Sequence, residues 1–544
     1  MSQITMVDNA SPPTSPQGSS FIQSPVGENG PSVAAMPVIP PEHPFRTLVL
    51  CFDGTGDQFD ADNSNIVQLF SMLPKGDRTK QMVYYQAGIG TYTTPQIATP
   101  LMSKFSKMLD EAIAWNLDSH VMGGYEFLMQ NYTAGDRICI FGFSRGAYTA
   151  RSLAGMLHKV GLLPACNHQQ IPFAYKMFTT TDETGWKQSN AFKKAFSIDV
   201  DIEFVGVWDT VNSVGLIPKR LPFTTSNTIV RTFRHAVSLD EHRAKFKPNL
   251  WNRPNNKEKS MSISDQKLHQ HQHPHPTKKM SQRMMEHKYA RDPTQPTDIE
   301  EVCLPWLGDR FSTHTIHSCS WQVWFAGCHC DIGGGSVSDD TKHNLARIPL
   351  RWMVRECFKT NSGIMFEAEG LRSIGLDPTS LYPFVKPRPP ALPVGAARIQ
   401  SIPRSPATPA PAPPLPVSAS GSGSEAATSN AAGASALSNV DGFLTEEDLD
   451  LRDALSPIYD QLTLKWFWWI LELLPIKQRY QRGDNTWVSI YKWNLGQGRF
   501  IPKQKTNGVR VHRSVKTRLE AQTEHGGTYK PKAAFDLERT IWVD

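Results

Sequence analysis

Gly142-Phe143-Ser144-Arg145-Gly146 sets a hydroxyl between two glycines, directly after a short apolar run (Arg137-Ile138-Cys139-Ile140-Phe141) and directly before a helix-forming one. A serine lifted out of a sharp strand-to-helix turn needs this pattern, because a side chain two residues away on either side would crowd the neighbouring backbone. Ser144 is thereby a candidate nucleophile. The backbone N–H of Arg145, at the start of the following helix, is a candidate donor to a developing oxyanion. The same spacing also occurs in plain surface turns, so the reading rests on the strand before it and the helix after it.

A hydroxyl is a weak nucleophile and requires a base. His329 is the candidate, since Ser320-Trp321-Gln322-Val323-Trp324-Phe325 reads as a buried strand and Gly327-Cys328-His329-Cys330-Asp331-Ile332-Gly333-Gly334-Gly335 as the glycine-rich loop that follows it. The other reading of His329 is a loop histidine bonded to its own backbone. His269, His271, His273 and His275 lie in a Gln/His/Pro/Lys-rich stretch and read as solvated. The Cys328-to-Asp331 run lacks the spacing of a tetrahedral zinc set, so no metal is expected.

The acid that orients such a histidine should close a strand lying between serine and histidine. Asp209 does so after Ile202-Glu203-Phe204-Val205-Gly206-Val207-Trp208, giving the chain order Ser, Asp, His of α/β-hydrolases. The alternative acid is Asp240, in a run (Ala236 to Arg243) that reads as helical, where an Asp beside Arg243 is more naturally an ion-pair partner. A second oxyanion donor is expected from the loop after an early strand. Thr47 to Phe52 is that strand, and Gly54 and Thr55 follow it with the backbone able to approach a substrate. Two other readings of this loop stay open: a turn in which Asp53 caps a helix, and an aspartyl-phosphate site, although the second Asp usual in such sites is Thr55 here.

Six motifs stand in a family's order: Asp53-Gly54-Thr55, Ser64-Asn65-Ile66, Tyr85 to Thr91, Gly142 to Tyr148, Gly206 to Val211, and Gly327 to Gly335. Together they resemble the α/β-hydrolase domain of bacterial type VI secretion phospholipase effectors and their fungal relatives, across most of the chain outside its low-complexity stretches. The resemblance implies a Ser-Asp-His esterase acting on glycerophospholipids, with Ser144, Asp209 and His329 in those places; hydrolysis through such a triad needs no cofactor. Cys330 replaces a residue that is often serine beside the family's histidine.

The elements that must position these residues form an α/β fold, α/β-hydrolase-like, with a mainly parallel sheet flanked by helices. Ala147, Ala150, Leu153, Ala154 and Leu157 recur at helical spacing up to Gly161, a stop signal, so a helix packs on the sheet after the serine. The 544 residues suffice for one large domain with additions. The expected organisation is a disordered leader at 1–44; core at 45–252; a polar insertion at 253–297; the histidine part of the core at 298–385; a Pro/Ala/Ser-rich disordered insertion at 386–440; and an ordered part at 441–544 packing on the core. The leader has neither the basic start nor the apolar centre of a targeting peptide.

Eight cysteines without paired spacing suit reduced thiols and a cytoplasmic protein. A net charge of +6, from 57 basic and 51 acidic residues, is too small to imply nucleic acid. Arg499, Lys503, Lys505, Arg510, Arg513, Lys516 and Arg518 form a basic stretch that reads either as a solvated face or as a surface drawn to anionic headgroups. Trp466 to Leu474 is too short to span a bilayer; it either completes a core, covers the site, or rests among headgroups as a peripheral membrane contact. The functional expectation is ester hydrolysis, most naturally of phospholipids. The alternatives are a small-ester, thioester or acyl-protein hydrolase, and a catalytically silent lipid-binding or scaffolding protein that kept the fold.

Overall fold

The computed structural model describes residues 33, 36–54, 59–88, 102–211, 221–251, 319–402, 444–481, 487–502 and 508–544. Its centre is an eight-stranded sheet. In chain order the strands are β1 (Thr47–Phe52), β2 (Gln81–Gln86), β3 (Arg137–Phe143), β4 (Ile202–Trp208), β5 (Val230–Ser238), β6 (Cys319–Phe325), β7 (Val509–His512) and β8 (Thr540–Val543). Across the sheet they lie in the order β8-β7-β6-β5-β4-β3-β1-β2, and every pairing is parallel.

An all-parallel sheet is covered on both faces, which is why these strands read as unbroken apolar runs. All six residues of β1 are buried. Leu48, Leu50 and Phe52 point to one face, where they join helices α2 (Met102–Asn131) and α3 (Ser144–Val160). Val49 and Cys51 point to the other, together with α1 (Asn65–Ser71) and α7 (Arg347–Lys359). α3 stops at Gly161, whose φ of +69° closes the helix.

Chain order reverses between β1 and β3, the position at which open parallel sheets leave a crevice at their carboxyl ends. Register aligns those ends, pairing Phe52 with Gly142, Phe143 with Trp208, and Trp208 with Ala236. Asp53, Ser144 and Asp209 therefore emerge side by side.

Four sequence expectations change. The leader does not run to 44, because Val38–Ile39 pairs with Phe366–Glu367 and Ile39 is fully buried. The Pro/Ala/Ser-rich insertion does not begin at 386: Arg388 forms ion pairs with Glu446, Glu447 and Asp450, and Arg398–Ile399 pairs with Gln522–Thr523. The run around Asp240 is not helical but continues from β5 into a buried loop. The C-terminal part does more than pack on the core, since it contributes β7 and β8 to the sheet. Residues 253–297 lie outside the described residues.

Candidate active site

Ser144 has a φ of +56°, a left-handed conformation that side chains other than glycine rarely adopt. Its two glycines are sterically required. A Cβ at Gly142 would lie 2.5 Å from the Gly146 carbonyl oxygen, and one at Gly146 would lie 2.3 Å from the carbonyl oxygens of Phe52 and Asp53. The elbow is thus pressed against the end of β1, and the serine is forced out at the N-terminus of α3.

Ser144 Oγ lies 2.8 Å from His329 Nε2, and His329 Nδ1 lies 2.6 Å from Asp209 Oδ2. All three side chains are buried. His329 opens the short helix α6 (His329–Gly333), whose start is fixed by a capping box between Cys328 and Asp331. The ring sits between Phe143 and Phe246, with centroids 4.8 and 4.9 Å away. Burial lowers the basicity of His329, and the hydrogen bond and charge of Asp209 work against that. With its proton on Nδ1, the ring donates to Asp209 and leaves Nε2 to accept from Ser144, an arrangement through which a hydroxyl proton can pass to the imidazole.

Asp209 also has a positive φ, of 39°. Its Oδ1 accepts from the Ser238 backbone N–H at 2.9 Å, and its two oxygens take the two arms of the Arg499 guanidinium. Burial alone would push this carboxyl up. The Arg499 charge and the hydrogen bonds from His329 and Arg499 outweigh it and hold Asp209 well below the usual carboxylate range.

Asp240 forms no hydrogen bond with the histidine ring. It accepts from Gly327 N–H at 2.7 Å, Lys532 N–H at 3.1 Å and Tyr529 OH at 2.6 Å, and so holds the loop that carries His329. Nor does it pair with Arg243, whose partner is Glu241. Gly54 donates its N–H to Asp53 Oδ1 at 2.8 Å, and Asp53 also accepts from Ser64 and Tyr85 hydroxyls. Gly54 is therefore engaged in this state, and Thr55 lies outside the described residues. Arg145 stands in the first turn of α3.

Among its described residues the basic stretch is mostly not a free surface, and Arg510 is half-buried over the Trp321 ring. Arg499 and Arg518 are buried, Arg518 donating to the carbonyls of Ala454 and Ser456, and Arg513 pairs with Glu447. Lys516 is exposed, while Lys503 and Lys505 lie outside the described residues. No sequence signal marked Arg499 or Phe246 as neighbours of the site, since both arrive through tertiary contacts.

Above the ring, Phe246 meets Trp468 edge-on at 5.5 Å, and the Arg243 guanidinium stacks on Phe246 at 3.5 Å. Trp468 opens the helix α9 (Trp468–Glu472). This element is oriented inside out. Its buried residue is Glu472, which accepts from Ala244 N–H, Asn494 and Gly496 N–H, whereas Trp469 and Ile470 face solvent, as do Trp466, Phe467, Leu473 and Leu474 on either side of it. Among the described residues, no helix is long and apolar enough to cross a membrane.

Residues 46–356 match the catalytic domain of the Tle1-like phospholipase effector of the type VI secretion system. The chain is 29% identical over 583 residues to the uncharacterized protein YEL023C of Saccharomyces cerevisiae, covering 92% of this chain and 82% of that one. Among solved structures it is similar to an uncharacterized protein from Pseudomonas aeruginosa (16% identity, TM-score 0.31, 62% of this chain and 50% of that one). It is also similar to the Tle1 effector bound to the VgrG spike (17% identity, TM-score 0.22, 38% of this chain and 48% of that one). The chain spans about half the length of each of these two solved chains.

Proposed function

The chain belongs to the Tle1-like catalytic-domain family of type VI secretion phospholipase effectors, and from that membership we propose that it is a serine hydrolase cleaving the acyl esters of phospholipids through Ser144, His329 and Asp209. Membership makes it a lipase- or phospholipase-type hydrolase in general terms. The observation that carries the finer reading is the hydrogen-bonded line from Ser144 Oγ through His329 to Asp209, starting at a left-handed serine.

In this reading His329 Nε2 takes the Ser144 proton as Oγ attacks the ester carbonyl, and Asp209 stabilises the imidazolium. The oxyanion is met by the Arg145 N–H and a second donor from the loop after β1, a role Gly54 takes only by turning away from Asp53. The proton on Nε2 then passes to the departing alkoxide, leaving an acyl group on Ser144. Water, deprotonated by the same nitrogen, attacks the acyl carbonyl; the bond to Oγ breaks, Nε2 returns its proton to Ser144, and the fatty acid leaves.

The substrate class is supported by α9. A helix that buries a carboxylate and exposes Trp469 and Ile470, one aromatic ring removed from the catalytic histidine, suits an apolar, interfacial partner, so we place a membrane surface against it. The experiment is labelling with a fluorophosphonate probe, followed by turnover of phospholipid vesicles and of a soluble short-chain ester. Stoichiometric labelling that vanishes in Ser144→Ala, with release of fatty acid from vesicles, is expected. Full labelling of Ser144→Ala would remove the nucleophile; turnover of the soluble ester alone would favour a small-ester hydrolase; no turnover at all would favour a silent binding protein.

A further inference from the structure

We propose that Arg499, outside the matched catalytic domain, is a positioning residue that fixes the Asp209 carboxylate against His329, so that the C-terminal part of the chain completes the active site. The proposal rests on the serine-hydrolase reading above.

The geometry is that of a built contact. Both side chains are fully buried, and the guanidinium reaches both carboxylate oxygens. Its remaining donors are used on the carbonyls of Ser238 and Phe246, the first at the end of β5 and the second the residue whose ring packs on His329. One planar cation therefore ties together the acid, the strand beside it and the wall of the histidine. A lysine would supply the charge without this fork.

The chain leading to Arg499 is shaped to deliver it. Leu495 and Gly496 both have positive φ, of 47° and 69°. A Cβ at Gly498 would lie 2.0 Å from the Lys532 carbonyl oxygen, so only glycine lets this segment pass. Ile501, two residues beyond, is buried in the cluster shared by β6 and β7. The approach is tightly determined on both sides of the arginine.

The consequence for chemistry follows from charge sharing. An Asp that faces only a histidine spends its whole field on the imidazolium. Here Asp209 faces two cations, and part of its field is neutralised by Arg499. The charged and titratable groups packed around the pair are Glu241 and Arg243 from the loop after β5, Lys247 beyond them, His235 within β5, and Cys328, Cys330 and Asp331 around His329. None of these bonds to the Asp209 side chain; among the described residues its side-chain partners are His329 and Arg499.

Removing the guanidinium should loosen Asp209 and return its full field to His329, stabilising the imidazolium. The test measures the second-order rate of fluorophosphonate labelling at Ser144 from pH 4.5 to 9, per folded molecule, in the full-length protein and in Arg499→Gln and Arg499→Lys. Arg499→Gln should label about tenfold or more slowly, and its acid limb should move to higher pH by about one unit, the scale on which a charge a few ångströms away acts. Arg499→Lys should lose rate while keeping the wild-type limb, because it keeps the charge and loses the fork. Wild-type rate and limb per folded molecule in Arg499→Gln would overturn the proposal.

Taking one member from a buried pair is strongly destabilising, so Arg499→Gln can fail to fold. In that event Arg499→Lys decides: a slowed rate with an unmoved limb supports positioning, and a wild-type rate refutes it. Failure of the parent protein to label at Ser144 would instead sink the serine-hydrolase reading, and the two failures are thereby distinct.

Discussion

Gly146→Ala should damage catalysis far more than its one added carbon suggests. The new Cβ would lie 2.3 Å from the carbonyl oxygens of both Phe52 and Asp53, and these are backbone atoms at the end of an interior strand paired on both sides. They cannot swing aside as a side chain would. Bringing that contact out to about 3 Å requires α3 and β1 to part by ~0.7 Å, and Ser144 moves with α3 while His329 is anchored on β6. The Ser144–His329 hydrogen bond, now 2.8 Å, would be stretched beyond its normal range. Misplacement on this scale costs roughly 100-fold in rate, and overpacking adds about 1–3 kcal/mol of lost stability. The assay is the fluorophosphonate labelling rate corrected for folded fraction, with a thermal melt alongside. A variant that melts like the parent and labels within threefold of it would show that the elbow is not wedged against β1, and the steric argument would fail.

Two other outcomes are expected. Burial raises Asp331 to about 7, so the folded protein keeps it protonated where the unfolded chain, at its ordinary 3.8, has already lost the proton; stability is accordingly lost as pH rises through that window, by up to about 1.4 kcal/mol per pH unit. Asn has no such charge and can still accept from Cys328 and Tyr459 N–H, so the melting temperature of Asp331→Asn relative to the parent should be clearly higher at pH 8 than at pH 4, and an equal difference at both would refute the assignment. Replacing Trp466, Ile470 and Leu473 together with Ser should weaken binding to phospholipid vesicles at least tenfold and leave soluble-ester turnover within twofold, because these side chains already face solvent; unchanged vesicle binding would remove the run from Trp466 to Leu474 as the docking element.

What could be read in the sequence was what local geometry dictates. The Ser144 elbow needs two glycines, a strand and a helix within about two dozen residues, and each leaves a mark there. Asp209 and His329 were legible as residues closing apolar runs, and the α/β architecture followed from those runs. Arg499 was illegible in principle, since its partner is 290 positions away. A buried arginine bonded to a carboxylate has the same sequence signature as one facing lipid. Composition misjudged the segments near 39 and 388 for a related reason: a polar, proline-rich stretch is held in place by single anchors, Ile39 in the core and Arg388 among three carboxylates. The run from Trp466 to Leu474 was visible, but not which side faces inward, which Glu472 decides.

The carboxyl end of the sheet shows why so many acids are buried there. Loops cannot satisfy their own backbone N–H groups as strands and helices do, and each orphaned donor excluded from water carries a cost. Asp240 answers two of them in the Gly327 and Lys532 segments, Asp331 those of Cys328 and Tyr459, and Glu472 those of Ala244 and Gly496. Each of these acidic side chains joins segments far apart in the chain. Lys532, Tyr459 and Gly496 all come from beyond residue 356, where the matched domain ends. The loops carrying His329 and Phe246 are therefore braced by the C-terminal part through the same kind of contact by which Arg499 reaches Asp209. A site whose atoms must hold place to within about half an ångström is, in this chain, assembled from the matched domain and from the chain beyond it.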